Sequence, residues 1–215
     1  MKNRVLRPSP LLIIVTLACL AVGIWAYPRL PDRVPTHWNF RGEVDGWSSK
    51  TFGVFGFPAM ALGFYLLFEV LPSLDPHKKK YEQFAGSYSM IRAALVLFMD
   101  GIYLITLMAG LGYAVNIGLL VRLGVSLLFV FLGDRMGKIK QNWFVGFRTP
   151  WTLASQENWR RTHRFGAKTM VAGGLLSLLT LPFDGPAAAG VFFAFVMAGA
   201  ILPVGYSYLL FRKGI

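Results

Sequence analysis

Three histidines, ten carboxylates and one cysteine are the residues of this 215-residue chain from which catalytic or metal chemistry would have to be built. His37, His77 and His163 lie in three separate polar segments, and no HExxH, GxSxG, P-loop or CxxC pattern occurs. His37 with Glu43 and Asp45 comes nearest to a metal site. One imidazole and two carboxylates in a loop read first as hydrogen-bonding and turn residues. The sequence therefore predicts neither an enzyme nor a bound cofactor or metal. Cys19 has no partner for an intrachain disulfide. The apolar run continues past it to Tyr27, too far for a lipobox or a cleaved signal peptide.

Two other ionisable residues stand out by context. Asp100 and Arg122 lie inside apolar runs, where charge is expensive and a functional role is the default expectation. An Asp100–Arg122 ion pair is one reading. At ~1.5 Å of rise per residue the two differ in depth by about 10 Å, so Asp100 facing the bundle interior and Arg122 reaching the interface is the other.

The elements that must position these residues are membrane helices. Hydrophobic residues make up 55% of the chain and charged residues 15%, with a mean hydropathy of +0.52. Soluble domains carry about a quarter charged residues. Segments of roughly 20 apolar residues are read as spans. About six occur: Leu11–Tyr27, Phe52–Leu71, Ile91–Gly112, Ile117–Gly133, Thr169–Leu181 (extending back through Phe165) and Ala187–Phe211. The expected fold is an all-α integral membrane protein. The net charge of +12 is not a nucleic-acid signature, because the basic residues sit between the spans. Seventeen Lys and Arg fall on one side and four on the other, which places both termini in the cytoplasm of the host cell. Two modules are expected, 11–71 with an outer loop 28–50, and 89–215 with an inner loop 134–168.

Each loop has its own chemistry. The outer loop is stiffened by Pro28, Pro31 and Pro35. Arg41-Gly42 and Asp45-Gly46 are turn signals, and Trp38, Phe40 and Trp47 suit the membrane interface. The inner loop holds Asn142, Gly146, Arg148, Thr149, Pro150 and Trp151, with Thr152 or Ser155 as a helix cap. Trp159, His163 and Gly166 then share one face of a basic helix that also carries Arg160, Arg161, Thr162 and Arg164. A plain electrostatic anchor needs only Lys and Arg, so this mixture suits either a shaped docking surface or a segment bound to anionic lipid.

The stretch Lys140-x-Asn142-x-x-x-Gly146-x-Arg148-Thr149-Pro150-Trp151-Thr152-Leu153, continued by Trp159, Thr162-His163-Arg164 and Gly166, resembles the SdpI family of bacterial membrane proteins. The outer loop (Leu30-Pro31, Pro35-x-His37-Trp38, Gly42, Gly46-Trp47) resembles a domain of unknown function found at the N-terminus of longer members. Asp134, after Gly133, stands where the family pattern has Asn. The resemblance implies a six-span protein of the bacterial cytoplasmic membrane that protects against a secreted membrane-active toxin peptide. It also implies signalling by capture of a cytoplasmic transcriptional repressor. Pro35, His37, Trp38, Gly42, Asp45 and Trp47 would then face the peptide, and the inner-loop residues would dock a partner or lipid.

Two rival readings use other residues. A small proton-coupled transporter would work through Asp100 at the membrane midplane. An intramembrane enzyme would work at the Arg148/His163 surface.

Overall fold

A computed structural model describes residues 9–39 and 43–215. Helix α1 (Pro10–Ala26) starts with proline at its first turn, where the missing N–H costs nothing. A 3-10 turn, Tyr27–Arg29, leads to an antiparallel hairpin of β1 (Arg33–Trp38) and β2 (Val44–Ser49). Then come α2 (Lys50–Leu74), a 3-10 segment (Lys78–Phe84), α3 (Ala85–Gly110) and α4 (Ile117–Met136). The short α5 (Pro150–Ala154), the long α6 (Gln156–Leu178) and α7 (Pro186–Arg212) complete the chain.

The class is the expected one: a helical membrane protein. Five helices (α1, α2, α3, α4 and α7) are long and apolar enough to cross a bilayer, and less than a third of each is buried inside the protein. Their apolar surface is therefore turned outward, as lipid requires. The expected fifth span differs in kind. It is the second half of α6, whose first half is polar and basic, and it lies between α4 and α7. Small residues permit that close packing. A Cβ on Gly174 would meet Ser126 O at 2.7 Å, one on Gly173 would meet Phe195 O at 2.6 Å, and the Ser126 and Ser177 hydroxyls are 2.7 Å apart.

The outer loop folds as the small hairpin, an addition to the helical plan. Pro35 and the Asp45-Gly46 pair both lie within strands. Gly46 stands opposite His37 at a register shift, and a Cβ there would meet His37 Cβ at 2.7 Å. The observed turn is closed by Asn39 and Glu43, with Asn39 N–H donating to Glu43 O at 2.9 Å. Gly42, Phe40 and Arg41 lie outside the described residues. Val34 tucks under the hairpin into a core shared by α1, α2 and α3, where Tyr103 Oη donates to Val54 O at 3.0 Å.

Asp100 and Arg122 do not pair with each other. Asp100 is buried between α3 and α1 and accepts a bond from Thr16 Oγ1 at 2.9 Å. Its other carboxylate oxygen has no partner among the described residues. Arg122 instead holds the α6–α7 turn, donating to Thr180 O, Phe183 O and Asp184 at 3.1, 2.9 and 3.3 Å. Arg92, counted above with the loop charges, is buried within α3. It forms an ion pair with Glu69 of α2 and lies over the Tyr65 ring.

Candidate functional site: a hydrogen-bonded clasp in the inner loop

The segment from Gly137 to Pro150 crosses the end of the bundle opposite the hairpin. It has little regular structure of its own, so side chains must satisfy its backbone. Asn142, fully buried, supplies most of this. Its Oδ1 accepts from Phe144 N–H at 2.8 Å and Val145 N–H at 2.7 Å, and its Nδ2 donates to Lys140 O and Val145 O, both at 2.9 Å. Gln141 Nε2 donates to Thr152 O and Leu153 O, while its Oε1 accepts from Lys80.

The loop is also tied to the end of α2. Asp75, buried just after that helix, accepts from Tyr81 Oη and Trp143 N–H, both at 2.8 Å. Burial, and then the bond to Asp75, push the Tyr81 hydroxyl well above the usual tyrosine range. Tyr81, Phe84 and Tyr88 form an aromatic floor with Phe68 beneath the clasp.

The second half of the clasp rests on α6. Trp159 Nε1 donates to Ile139 O at 2.9 Å, and its ring stacks on His163 with centroids 3.9 Å apart. His163 Nδ1 lies 2.8 Å from Trp159 O, a carbonyl that can only accept, so Nδ1 carries the proton. Nε2 then accepts from Phe147 N–H at 3.0 Å. Both nitrogens are engaged, and burial pushes the imidazole pKa down to about 4. The ring is a neutral strut at ordinary pH, with no free nitrogen for the enzyme reading. Gly146 has φ +116°, and a Cβ there would meet His163 Nε2 at 2.2 Å. Gly166, a turn beyond His163 on α6, leaves room for the Phe147 ring in the same way.

Thr149 and Thr152 form a reciprocal capping box at the start of α5, and Ser155 caps α6. Thr149 reaches Ser207 of α7 at 3.1 Å. Asn158 Nδ2 donates to Ser207 O and Ile215 O, and Thr162 donates to Asn158 Oδ1. Trp151 packs on Tyr208 and Phe211. The C-terminal end of α7 is thereby fastened to the loop.

Most of the residues singled out in the inner loop thus point inward: Asn142, Thr149, Thr152, Trp159, Thr162 and His163 are buried. Pro150 is exposed at the first turn of α5. What the clasp presents outward is Trp143, half exposed, with Arg148, Arg160, Arg161 and Arg164. Arg148 is positioned by a bond to Trp143 O at 3.0 Å. Glu157 pairs with Arg160 and Arg161, which hold its carboxyl down at about 2. Sequence reasoning missed Asp75, Tyr81, Gln141, Asn158 and Ser207. A lone acid beside Lys78–Lys80 was the available signal for Asp75.

At the opposite end, His37 and Asp45 bond across the hairpin, both substantially exposed, while Glu43 bonds to Asn39. Among the described residues no three His, Cys, Asp or Glu side chains converge on a metal position. Trp47 is half exposed, Trp38 is partly covered, and Pro35 is buried.

Comparison with known proteins follows the same division. Residues 14–62, which take in most of α1, the hairpin and the first half of α2, match the model of a domain of unknown function, DUF1648. Residues 138–207, which hold the clasp, α5, α6 and most of α7, match the SdpI/YfhL protein family. The chain is 29% identical over 204 residues to the immunity protein SdpI of Bacillus subtilis (strain 168), covering 94% of this chain and 96% of that protein. No solved structure matches. The clasp, the span pattern and the hairpin agree with these likenesses: a multi-pass membrane protein whose residues 138–207 are similar to the SdpI/YfhL family and whose residues 14–62 are similar to the DUF1648 domain.

Proposed function

We propose that this protein is an immunity protein of the bacterial cytoplasmic membrane that protects its cell from a secreted, membrane-active toxin peptide. The observation that carries the reading is the match to an immunity protein along nearly the whole of both chains, both loops included. The face towards which most Lys and Arg of the sequence fall is cytoplasmic on this reading, and the hairpin faces the side from which a secreted peptide arrives. The test is a challenge of sensitive bacteria, with and without the gene. The challenges are spent medium of Bacillus subtilis strain 168 and a panel of synthetic membrane-active peptides. Protection against at least one is expected, and equal sensitivity to all would sink the reading.

On the cytoplasmic face, Trp143, Arg148, Arg160, Arg161 and Arg164 form an aromatic and cationic surface over a rigid base. Such a surface suits an acidic patch on a transcriptional repressor or the anionic headgroups of the membrane. Recovery of a candidate repressor with membranes, lost on Arg148→Ala with Arg164→Ala, would separate protein docking from lipid contact. A second reading, proton-coupled transport, is favoured by the unpartnered oxygen of buried Asp100. Asp100→Asn should abolish any transport or resistance phenotype on that reading and leave it intact on the first.

A further inference from the structure

A crevice of about 750 Å³ lies on the hairpin side of the bundle, between α3, α4 and α7. Its depths are apolar: Phe98, Ile102 and Ile105 form one stripe of α3, facing Val121 of α4 and Phe192 and Phe193 of α7. From Phe98 to Ile105 the stripe runs about 10 Å along the helix axis. The roof is β1 and its continuation, residues 36–39.

Two features say what the crevice is shaped to take. First, Thr36, His37 and Trp38 of β1 border it, with Asn39 just beyond. No residue of β2 borders it, and the sheet has two strands, so this is the edge of β1 away from its partner. That edge pairs with no strand among the described residues. Second, the one permanent charge in the lining is Arg122. A guanidinium has five N–H donors. Four are used, on Gly118 O, Thr180 O, Phe183 O and the exposed Asp184. The site therefore complements a ligand that is apolar along its length, carries an anionic group and can pair with a strand edge.

We propose that the crevice receives an extended, apolar segment of the toxin peptide, added to the free edge of β1 with a peptide carboxylate at Arg122. This rests on the immunity reading above. Strand addition supplies affinity through the main chain, and alternate side chains descending into the crevice supply selectivity. A phospholipid offers an acyl chain and a phosphate but cannot pair with the strand, which makes it the rival occupant.

Gly190 of α7 lines the crevice, and a Cβ there meets nothing within 4 Å, so Gly190→Phe fills the space without strain. Gly205, on the same helix and equally open, is not in the lining and gives the matched control Gly205→Phe. Cells carrying either variant or the unaltered full-length protein, at equal membrane levels, are challenged with spent medium of strain 168 and the peptide panel. Unaltered protein and Gly205→Phe should protect alike, and Gly190→Phe should lower the tolerated dose by about tenfold, the loss of one good side-chain contact. Full protection by Gly190→Phe overturns the site and leaves the immunity reading standing. No protection by the unaltered protein removes both. A photoreactive benzophenone side chain at Ile105 then identifies the occupant by mass. An adduct with the protective peptide is expected, and adducts with phospholipid alone overturn the proposal.

Discussion

The two ends of this molecule are built from similar residues and hold them in opposite ways. Both loops are rich in Trp, Pro, Gly and hydrogen-bonding side chains, and each contains a histidine singled out by its neighbours. In the hairpin, His37 is mostly exposed and meets only Asp45 across two short strands. In the clasp, His163 is buried against Trp159 and Phe147 with both nitrogens used. The clasp spends its polar side chains on its own backbone, which fixes a surface of Trp143 and arginines. The hairpin keeps His37 and Asp45 at the surface, and the outer edge of β1 pairs with no strand among the described residues. One end is arranged for a fixed shape; the other, on the proposed function, is open to a ligand.

That contrast can be broken in order of expected effect. Gly146→Val should be the most damaging change, about 4 kcal/mol, because it combines a positive φ with a collision at His163 and the loss of the Phe147 bond. Thermal unfolding in detergent, followed by tryptophan fluorescence, would show it, and a shift below 2 °C would refute the clasp as drawn.

Acid should act next. His163 titrates near 4 when folded, against an ordinary value near 6.5, so the unfolded chain takes up the proton first as pH falls. The stabilisation is complete above about pH 6.5 and declines from there towards pH 4, by about 3 kcal/mol in all. The same titration on His163→Gln should lack this decline.

Asn142→Leu leaves the Phe144 and Val145 N–H groups without their acceptor and should cost about 2 kcal/mol, read in the same unfolding assay. The smallest effect belongs to the other end. Asp45→Asn removes an exposed pair and should cost about 0–1 kcal/mol. If it proves as costly as Asn142→Leu, the hairpin is a structural anchor and the contrast fails.

The helical plan was legible because lipid imposes it residue by residue. A span must be apolar over its whole length, so α1, α2, α3, α4 and α7 fall within a few residues of the expected limits, α3 beginning six residues earlier. The face of α6 carrying Trp159, His163 and Gly166 was legible too, since helical spacing fixes it. Alternation could not reveal the hairpin, whose strands hold Pro35 and Gly46 and a register shift between them. Nor could the sequence show that the Arg148–Leu153 stretch is largely inward-facing. Its polar side chains look like a docking surface until their backbone partners are placed.

By itself, the sequence determined the membrane class, the sidedness expected from its cations and the helix faces, because these depend on composition and on spacing along one chain. Only the tertiary structure decided the partners. Asp100 went to Thr16 and not to Arg122, Asp75 of the α2 end went to the inner loop, and β1 came to roof a crevice between three helices. Hydrogen bonds form over about 3 Å between groups tens of residues apart in the chain, so their pairing is set by how the helices pack.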